Sequence, residues 1–266
     1  VLRVEDIHFG YTPEKENLTD ISFSIKEGEM ISIVGKNGAG KSTMAKLLCG
    51  FEKPGSGKLY LKGRDMGEDT IKERAEHIGY VMQNPNQMIS KPMIYDEVAL
   101  SLVMQNLPED EIRERVFEAL KICGLYEFRN WPINALSYGQ KKRVTIASIL
   151  VSRPRILILD EPTAGQDFRH YTEIMEFLKE LNEKGYTVLM ITHDMHLMLE
   201  YTNRSLVFSD GRKIADTTPE KLFSNPELLK QASLKETSLY ALAQMCGLPP
   251  ESYIRAFIEY DREVRS

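Results

Sequence analysis

Cysteine is scarce in this 266-residue chain: Cys49, Cys123 and Cys246 are far apart and odd in number. That excludes a disulfide scaffold, and because each lies in an apolar or helical context the expectation is three buried free thiols. The five histidines, His8, His77, His170, His193 and His196, show no zinc-ligand spacing. No apolar run approaches the roughly 18 residues that a membrane-spanning helix needs. No signal peptide is recognisable. These absences predict a soluble chain, without excluding docking to a membrane partner. There is no sustained heptad. There is no basic excess either: the formal net charge is −5, which argues against broad non-specific nucleic-acid binding. The chain begins with Val1 rather than Met, as a trimmed chain or a piece of a longer polypeptide would.

What is present is an ordinary globular composition, 42% hydrophobic and 27% charged, long enough for one large domain or two small ones. The chain is organised around Gly35-Lys36-Asn37-Gly38-Ala39-Gly40-Lys41-Ser42, a complete GxxxxGKS phosphate loop. Residues 30–34 before it run apolar and predict a buried strand. Residues 43–49 after it predict a helix stopped by Gly50. Strand, glycine loop, helix is the context in which backbone N–H groups and a helix start can surround a phosphate. Lys41 would reach the β- and γ-phosphates and Ser42 would hold Mg2+.

The remaining pattern is mixed α/β. Residues 1–9 and 21–25 alternate as half-buried strands, and 58–61 and 78–82 predict two more. Tyr11, in the loop after the first strand, is either a packing aromatic or a stacking surface for a nucleotide base. Gln83 ends a strand beside a turn, as either a turn-capping amide or a ligand contact at a sheet's carboxyl edge. Residues 84–150 predict a mostly helical insert, and Trp131 would pack a loop there. Ser137-Tyr138-Gly139-Gln140 precedes a probable helix over 141–151 and offers a second anion-binding helix start.

Residues 156–159 are fully apolar, as in a parallel strand covered on both faces, and end at Asp160-Glu161. A carboxylate there can hold Mg2+ and its neighbour can polarise a water. A helix over 171–181 and a buried strand over 187–191 follow, the strand ending at Thr192-His193-Asp194. Short strands around Asp210-Gly211 and a helical tail, 216–266, complete the chain. The tail's apolar faces suit either the main domain or a partner.

In order and setting, these motifs resemble the nucleotide-binding subunits of ABC transporters, over about residues 1–215. Walker A is Gly35 to Thr43, with Gly35, Asn37, Gly38, Gly40, Lys41, Ser42 and Thr43 as nucleotide contacts. The Q-loop residue is Gln83, the signature is Leu136-Ser137-Tyr138-Gly139-Gln140, and Walker B ends at Asp160 with Glu161 as the catalytic carboxylate. The D-loop is Ala164-Gly165-Gln166-Asp167, and His193 is the switch histidine. The resemblance implies that Tyr11 stacks on adenine and that Ser42, Gln83 and Asp160 hold Mg2+. It also implies an α/β P-loop NTPase fold of ABC ATPase type, with an N-terminal β-subdomain, the helical insert and a C-terminal helical extension.

A narrower resemblance is to the energy-coupling factor ATPases. It rests on Gln83-Asn84-Pro85-Asn86-Gln87, Asp96-Glu97-Val98-Ala99, Pro162-Thr163-Ala164-Gly165 and the extension. It implies ATP hydrolysis powering uptake of a vitamin, vitamin precursor or transition-metal ion, at the cytoplasmic face of the membrane. The implied partners are a second ABC ATPase domain, identical, paralogous or fused, a transmembrane coupling protein and a separate substrate-binding membrane protein. Ser137, Gly139 and Gln140 would act on the second domain's nucleotide, and Asp167 would bridge the interface.

The chain departs from the family where Asn86 replaces an acidic residue and Leu100-Ser101 replace Phe-Gly. Tyr138 replaces the signature glycine and Gln166 the D-loop leucine. Tyr138 either points away from the nucleotide or weakens one of two unequal sites. The rival readings are a conventional importer or exporter ATPase, a non-transport ABC protein, and an interaction protein that retains the fold without hydrolysis. The single motif set and the missing heptads oppose the second, and intact Lys41, Asp160, Glu161 and His193 oppose the third.

Overall fold

The computed structural model describes residues 1–164 and 168–265. Gln166 and Asp167 lie outside the described residues. The chain forms two compact units, Val1–Glu68 with Leu189–Ser266, and Asp69–Val188.

The first unit opens with β1 (Leu2–Phe9) and β2 (Leu18–Ile25), whose apolar residues alternate with half-buried or exposed ones. β3 (Met30–Val34) is buried at every position. α1 (Lys41–Cys49) follows the phosphate loop and ends at Gly50, whose left-handed backbone closes the last turn through its N–H. β4 (Ser56–Leu61) and β5 (Arg64–Asp65) complete an antiparallel sheet in the order β2-β1-β4-β5.

The second unit begins with α2 (Ile71–Ala75), opened by a Thr70–Glu73 capping box. β6 (Ile78–Val81) runs into a 3-10 turn at Pro85–Gln87. The helices α3 (Ile94–Met104), α4 (Glu109–Ile122) and α5 (Tyr138–Leu150) follow. Within this stretch Trp131 remains half-exposed, edge-on to Phe128 at 5.1 Å between centroids. β7 (Ile156–Asp160) then pairs in parallel with β6, Tyr80 opposite Ile158. α6 (Phe168–Glu183) and the fully buried β8 (Thr187–Ile191) follow, the last three residues of β8 belonging to the first unit.

The chain then returns to the first unit with α7 (Met195–Tyr201), β9 (Arg204–Ser209) and β10 (Arg212–Thr217). β9 pairs in parallel with β3, Leu206 opposite Ile33, and antiparallel with β10. The buried hydroxyls of Ser32 and Ser205 satisfy each other across that pair at 2.7 Å.

The tail is helical: α8 (Pro219–Phe223), α9 (Pro226–Ala232), α10 (Ser238–Met245) and α11 (Pro250–Arg265). Its Leu222, Phe223, Leu229 and Ile254 share a core with Val34, Met198 and Val207. Each large apolar side chain so buried contributes roughly 1.5–3 kcal/mol. Part of the tail's apolar surface therefore packs on the first unit, while Leu242 and Met245 of α10 and Phe257, Tyr260 and Val264 of α11 stay exposed.

Of the three thiols expected to be buried, two are. Cys49 and Cys123 are buried, but Cys246 is exposed, because it caps the end of α10 rather than lying on that helix's buried face. Burial pushes the Cys123 thiol up to about 12, which leaves it inert at neutral pH.

Candidate functional site

In the first unit the phosphate loop is built by its backbone. Gly35 has φ 141°, and a Cβ there would lie 2.0 Å from the Phe208 carbonyl oxygen, so only glycine fits. Gly40 has φ 101° and caps α1 with no side-chain hydrogen bond. The N–H groups of the first helical turn point back toward the loop, the arrangement that suits a phosphate. Lys41 is buried, and its ammonium donates to the carbonyls of Gly35 at 2.7 Å and Lys36 at 3.0 Å. Ser42, Asn37 and Gly38 are exposed, and Thr43 is half-buried. Lys36 forms an ion pair with Asp210 at the β9–β10 turn.

Tyr11 is half-exposed and stands edge-on to Phe9 at 4.9 Å between centroids. The Lys46 ammonium of α1 lies 5.8 Å from its ring, so the aromatic sits beside the phosphate-loop helix. His193 is exposed just beyond β8, and the N–H of its neighbour Thr192 donates to Ile33 of β3 at 3.2 Å. Tyr11, the phosphate loop and His193 thus belong to one unit.

In the second unit Asp160 ends β7 half-buried and accepts a hydrogen bond from the Tyr80 hydroxyl at 2.9 Å. Glu161 follows with φ 45°, a left-handed conformation that costs an L-residue roughly 1–2 kcal/mol.

The Q-loop segment is held from several sides. The turn-capping amide is that of Asn84, which accepts from the Asn86 N–H at 3.0 Å, while the Gln83 side chain is exposed. The Gln83 carbonyl accepts from the Lys142 ammonium at 2.9 Å and the Tyr138 hydroxyl at 3.2 Å. Lys142 also donates to the Met82 carbonyl at 2.7 Å. Farther along, the buried Glu97 carboxylate accepts from the N–H groups of Ser90 at 2.8 Å and Lys91 at 2.7 Å. Burial pushes the Lys142 amine down to about 8, against the opposing pull of the negative Asp160. Burial also pushes the Tyr138 phenol up, so it remains a donor at neutral pH.

The signature starts α5 three residues earlier than its sequence predicts. Ser137 is the N-cap: its hydroxyl accepts from the Gln140 N–H at 3.2 Å and its own N–H donates to the Gln140 side-chain oxygen at 3.0 Å. Ser137, Gly139 and Gln140 line an open cleft with Arg143 and Glu173. Tyr138 is part-exposed and directed at the Q-loop carbonyl.

Sequence reasoning missed Tyr80 and Lys142. A tyrosine in an otherwise apolar strand whose neighbour ends in Asp160 was a usable signal. Lys142 had little: within a run of basic residues nothing marks the one that turns inward.

The family model described as "ABC transporter" matches residues 18–164. Two curated proteins named as ABC transporter ATP-binding proteins are similar over the whole chain. One from Enterococcus faecalis is 62% identical and one from Clostridium perfringens 57%, each over 267 residues. The chain spans about half the length of these relatives, 47% in each case. Among solved structures, cbiO1 from Clostridium perfringens, described as part of the ABC transporter complex cbiONQ, is 36% identical with a TM-score of 0.80. The match covers 93% of this chain and 99% of cbiO1. A dimeric ATP-binding cassette bound to ADP and Pi in a post-hydrolysis state is 31% identical with a TM-score of 0.71, over 82% of this chain and 99% of the other.

Proposed function

The chain belongs to the ABC transporter family of ATP-binding proteins, with its P-loop NTPase fold, and on that premise we propose that it hydrolyses ATP to power membrane uptake through an energy-coupling factor transporter. The observation that carries the finer reading is the near-complete match to cbiO1, part of a cbiONQ complex. The cargo class would be a vitamin, a vitamin precursor or a transition-metal ion.

Roles follow from the chemistry of each residue. The phosphate-loop N–H groups and Lys41 bind the phosphates, and Tyr11 stacks on the adenine. The Ser42 hydroxyl, Gln83 amide oxygen and Asp160 carboxylate are hard oxygen donors that fit Mg2+, which would neutralise charge on the β- and γ-phosphates. Glu161 takes a proton from water as its oxygen bonds to the γ-phosphorus and the bond to ADP breaks. His193 donates a hydrogen bond to the γ-phosphate.

A second ATPase domain completes the arrangement. Ser137, Gly139 and Gln140 contact that domain's nucleotide, and Asp167 bridges the pair. Among the described residues no helix is long and apolar enough to cross a membrane. On the energy-coupling factor reading its partners are a transmembrane coupling protein and a separate substrate-binding membrane protein, with this chain peripheral on the cytoplasmic side.

The test is ATP turnover against enzyme concentration, beside Glu161→Gln. The expected result is a rise steeper than linear, lost in the variant while ATP binding persists. Turnover in Glu161→Gln at the unmodified rate removes Glu161 from the mechanism. Copurification with a coupling protein and a small substrate-binding membrane protein separates this reading from a conventional importer or exporter.

A further inference from the structure

Tyr138 and Lys142 lie four residues apart on α5, hence on one face of the helix. Both reach the backbone where β6 ends, Lys142 at the Met82 and Gln83 carbonyls and Tyr138 at the Gln83 carbonyl. The Gln83 carbonyl, with two lone pairs, takes one donor from each: Lys142 at 2.9 Å and Tyr138 at 3.2 Å. The Met82 carbonyl takes Lys142 at 2.7 Å, and the Met82 N–H is directed at the Met88 sulfur at 3.2 Å. The backbone is thus gripped where β6 ends, while the Gln83 side chain stays exposed.

We propose that Tyr138 and Lys142 are positioning residues, clamping the Gln83 backbone to the signature helix so that the Gln83 amide and the signature are aimed as one rigid piece. Lys142 has no exposed surface, yet it extends its whole length inward to deliver an ammonium to carbonyls. Burying a charge this way is unfavourable unless hydrogen bonds replace its water. The two short charge-assisted bonds do so, and they are stronger than neutral ones. Tyr138 adds what glycine lacks at this position, a hydroxyl that reaches across to the Q-loop. The bulk that seemed to threaten the nucleotide side of the signature is spent on this contact instead.

The functional part rests on the ATPase reading, so the test has an arm that needs no turnover. Hydrogen exchange over residues 82–90 is measured in the unmodified chain and in Lys142→Met, Lys142→Arg and Tyr138→Phe. Exchange is expected to accelerate in Lys142→Met and Tyr138→Phe, and to return toward the original in Lys142→Arg. Unchanged exchange in both of the first two overturns the clamp. Tyr138→Phe removes one hydroxyl from a part-exposed ring, so it keeps the test alive if Lys142→Met fails to fold.

The second arm measures kcat and KM for ATP with and without Gln83→Ala. Lys142→Met is expected to lower kcat about tenfold or more, since small misplacements of a reacting group are that costly. Tyr138→Phe should lower it about threefold. KM stays nearly constant in both. In the Gln83→Ala background both losses should nearly vanish, because the residue through which they act is gone. Equal losses in both backgrounds would mean that the pair only stabilises the fold, and would overturn the positioning role. An unmodified chain that never turns over ATP counts against the ATPase reading alone, and the exchange arm still decides the clamp.

Discussion

At the start of α1 the chain uses backbone, and at the start of α5 it uses side chains. Gly40 caps α1 from a left-handed φ of 101° with no side-chain bond, and Lys41 turns into the loop to meet Gly35 and Lys36. Ser137 and Gln140 close α5 with a reciprocal box, and the next turn reaches to the Q-loop through Tyr138 and Lys142. Both helix starts carry the positive end of a helix dipole. The first is open to an anion that must be surrounded at close range, which requires glycine. The second is already satisfied by its own residues, so it can present a preformed edge to a ligand held elsewhere.

The sharpest way to break this contrast is Lys41→Ala. Removing the buried ammonium that turns into the loop should lower ATP turnover about 100-fold or more, by analogy with loss of an oriented charge-stabilising donor. Titration of nucleotide binding by the variant should show weakened affinity as well. Full binding by Lys41→Ala would mean that the first helix start does not hold the phosphates.

Next comes Gly40→Ala. Its Cβ would lie 2.4 Å from a Leu18 methyl at φ 101°, so strain and overpacking together should cost roughly 2 kcal/mol or more. Ser137→Ala removes one bond of the capping box and should cost about 1 kcal/mol. Denaturant unfolding of both variants orders the two effects. If Ser137→Ala cost more than Gly40→Ala, the division into backbone-built and side-chain-built starts would be wrong.

The smallest effect belongs to the Lys36–Asp210 ion pair beside the phosphate loop. Hydrogen bonding from Lys36, then from Ser209, holds the exposed Asp210 carboxyl below the usual aspartate range. A depressed carboxylate adds stability above its unfolded pKa and loses it as pH falls through the folded value. Asp210→Asn should therefore lower Tm slightly at neutral pH, and not at all once acid has protonated Asp210. Thermal scans across that range check the sign, and added salt should shrink the difference because the pair is exposed.

Much of the architecture was legible from local pattern. The apolar run at 30–34 is β3 to the residue, as 187–191 is β8, because a strand covered on both faces needs no contrast with solvent. Short elements escaped: α2, β5 and α7 have too few residues for a period to register. The helix predicted over 141–151 starts at Tyr138 because Ser137 and Gln140 close a reciprocal box that draws the signature into its first turn. Asn84 and Gln83 are adjacent amides with equal claims to the turn, and only geometry assigns it to Asn84. Cys246 was expected inside on helical spacing alone, which does not tell a helix's last turn from its middle.

By itself the sequence determined the phosphate loop, the apolar strands and the acidic strand end. Glycine spacing, alternation and uninterrupted apolar runs act over a few residues, and no distant partner is needed to make them favourable. Tertiary structure alone decided three things: that Leu222, Phe223, Leu229 and Ile254 of the tail share a core with β3 and β9, that Lys142 turns inward, and that Tyr138 leans to Gln83. The last two depend on groups 55 residues away along the chain for Tyr138 and 59 or 60 for Lys142. A local pattern says which residues can be buried or can donate a bond, but the partner that rewards it is chosen only when the chain closes on itself.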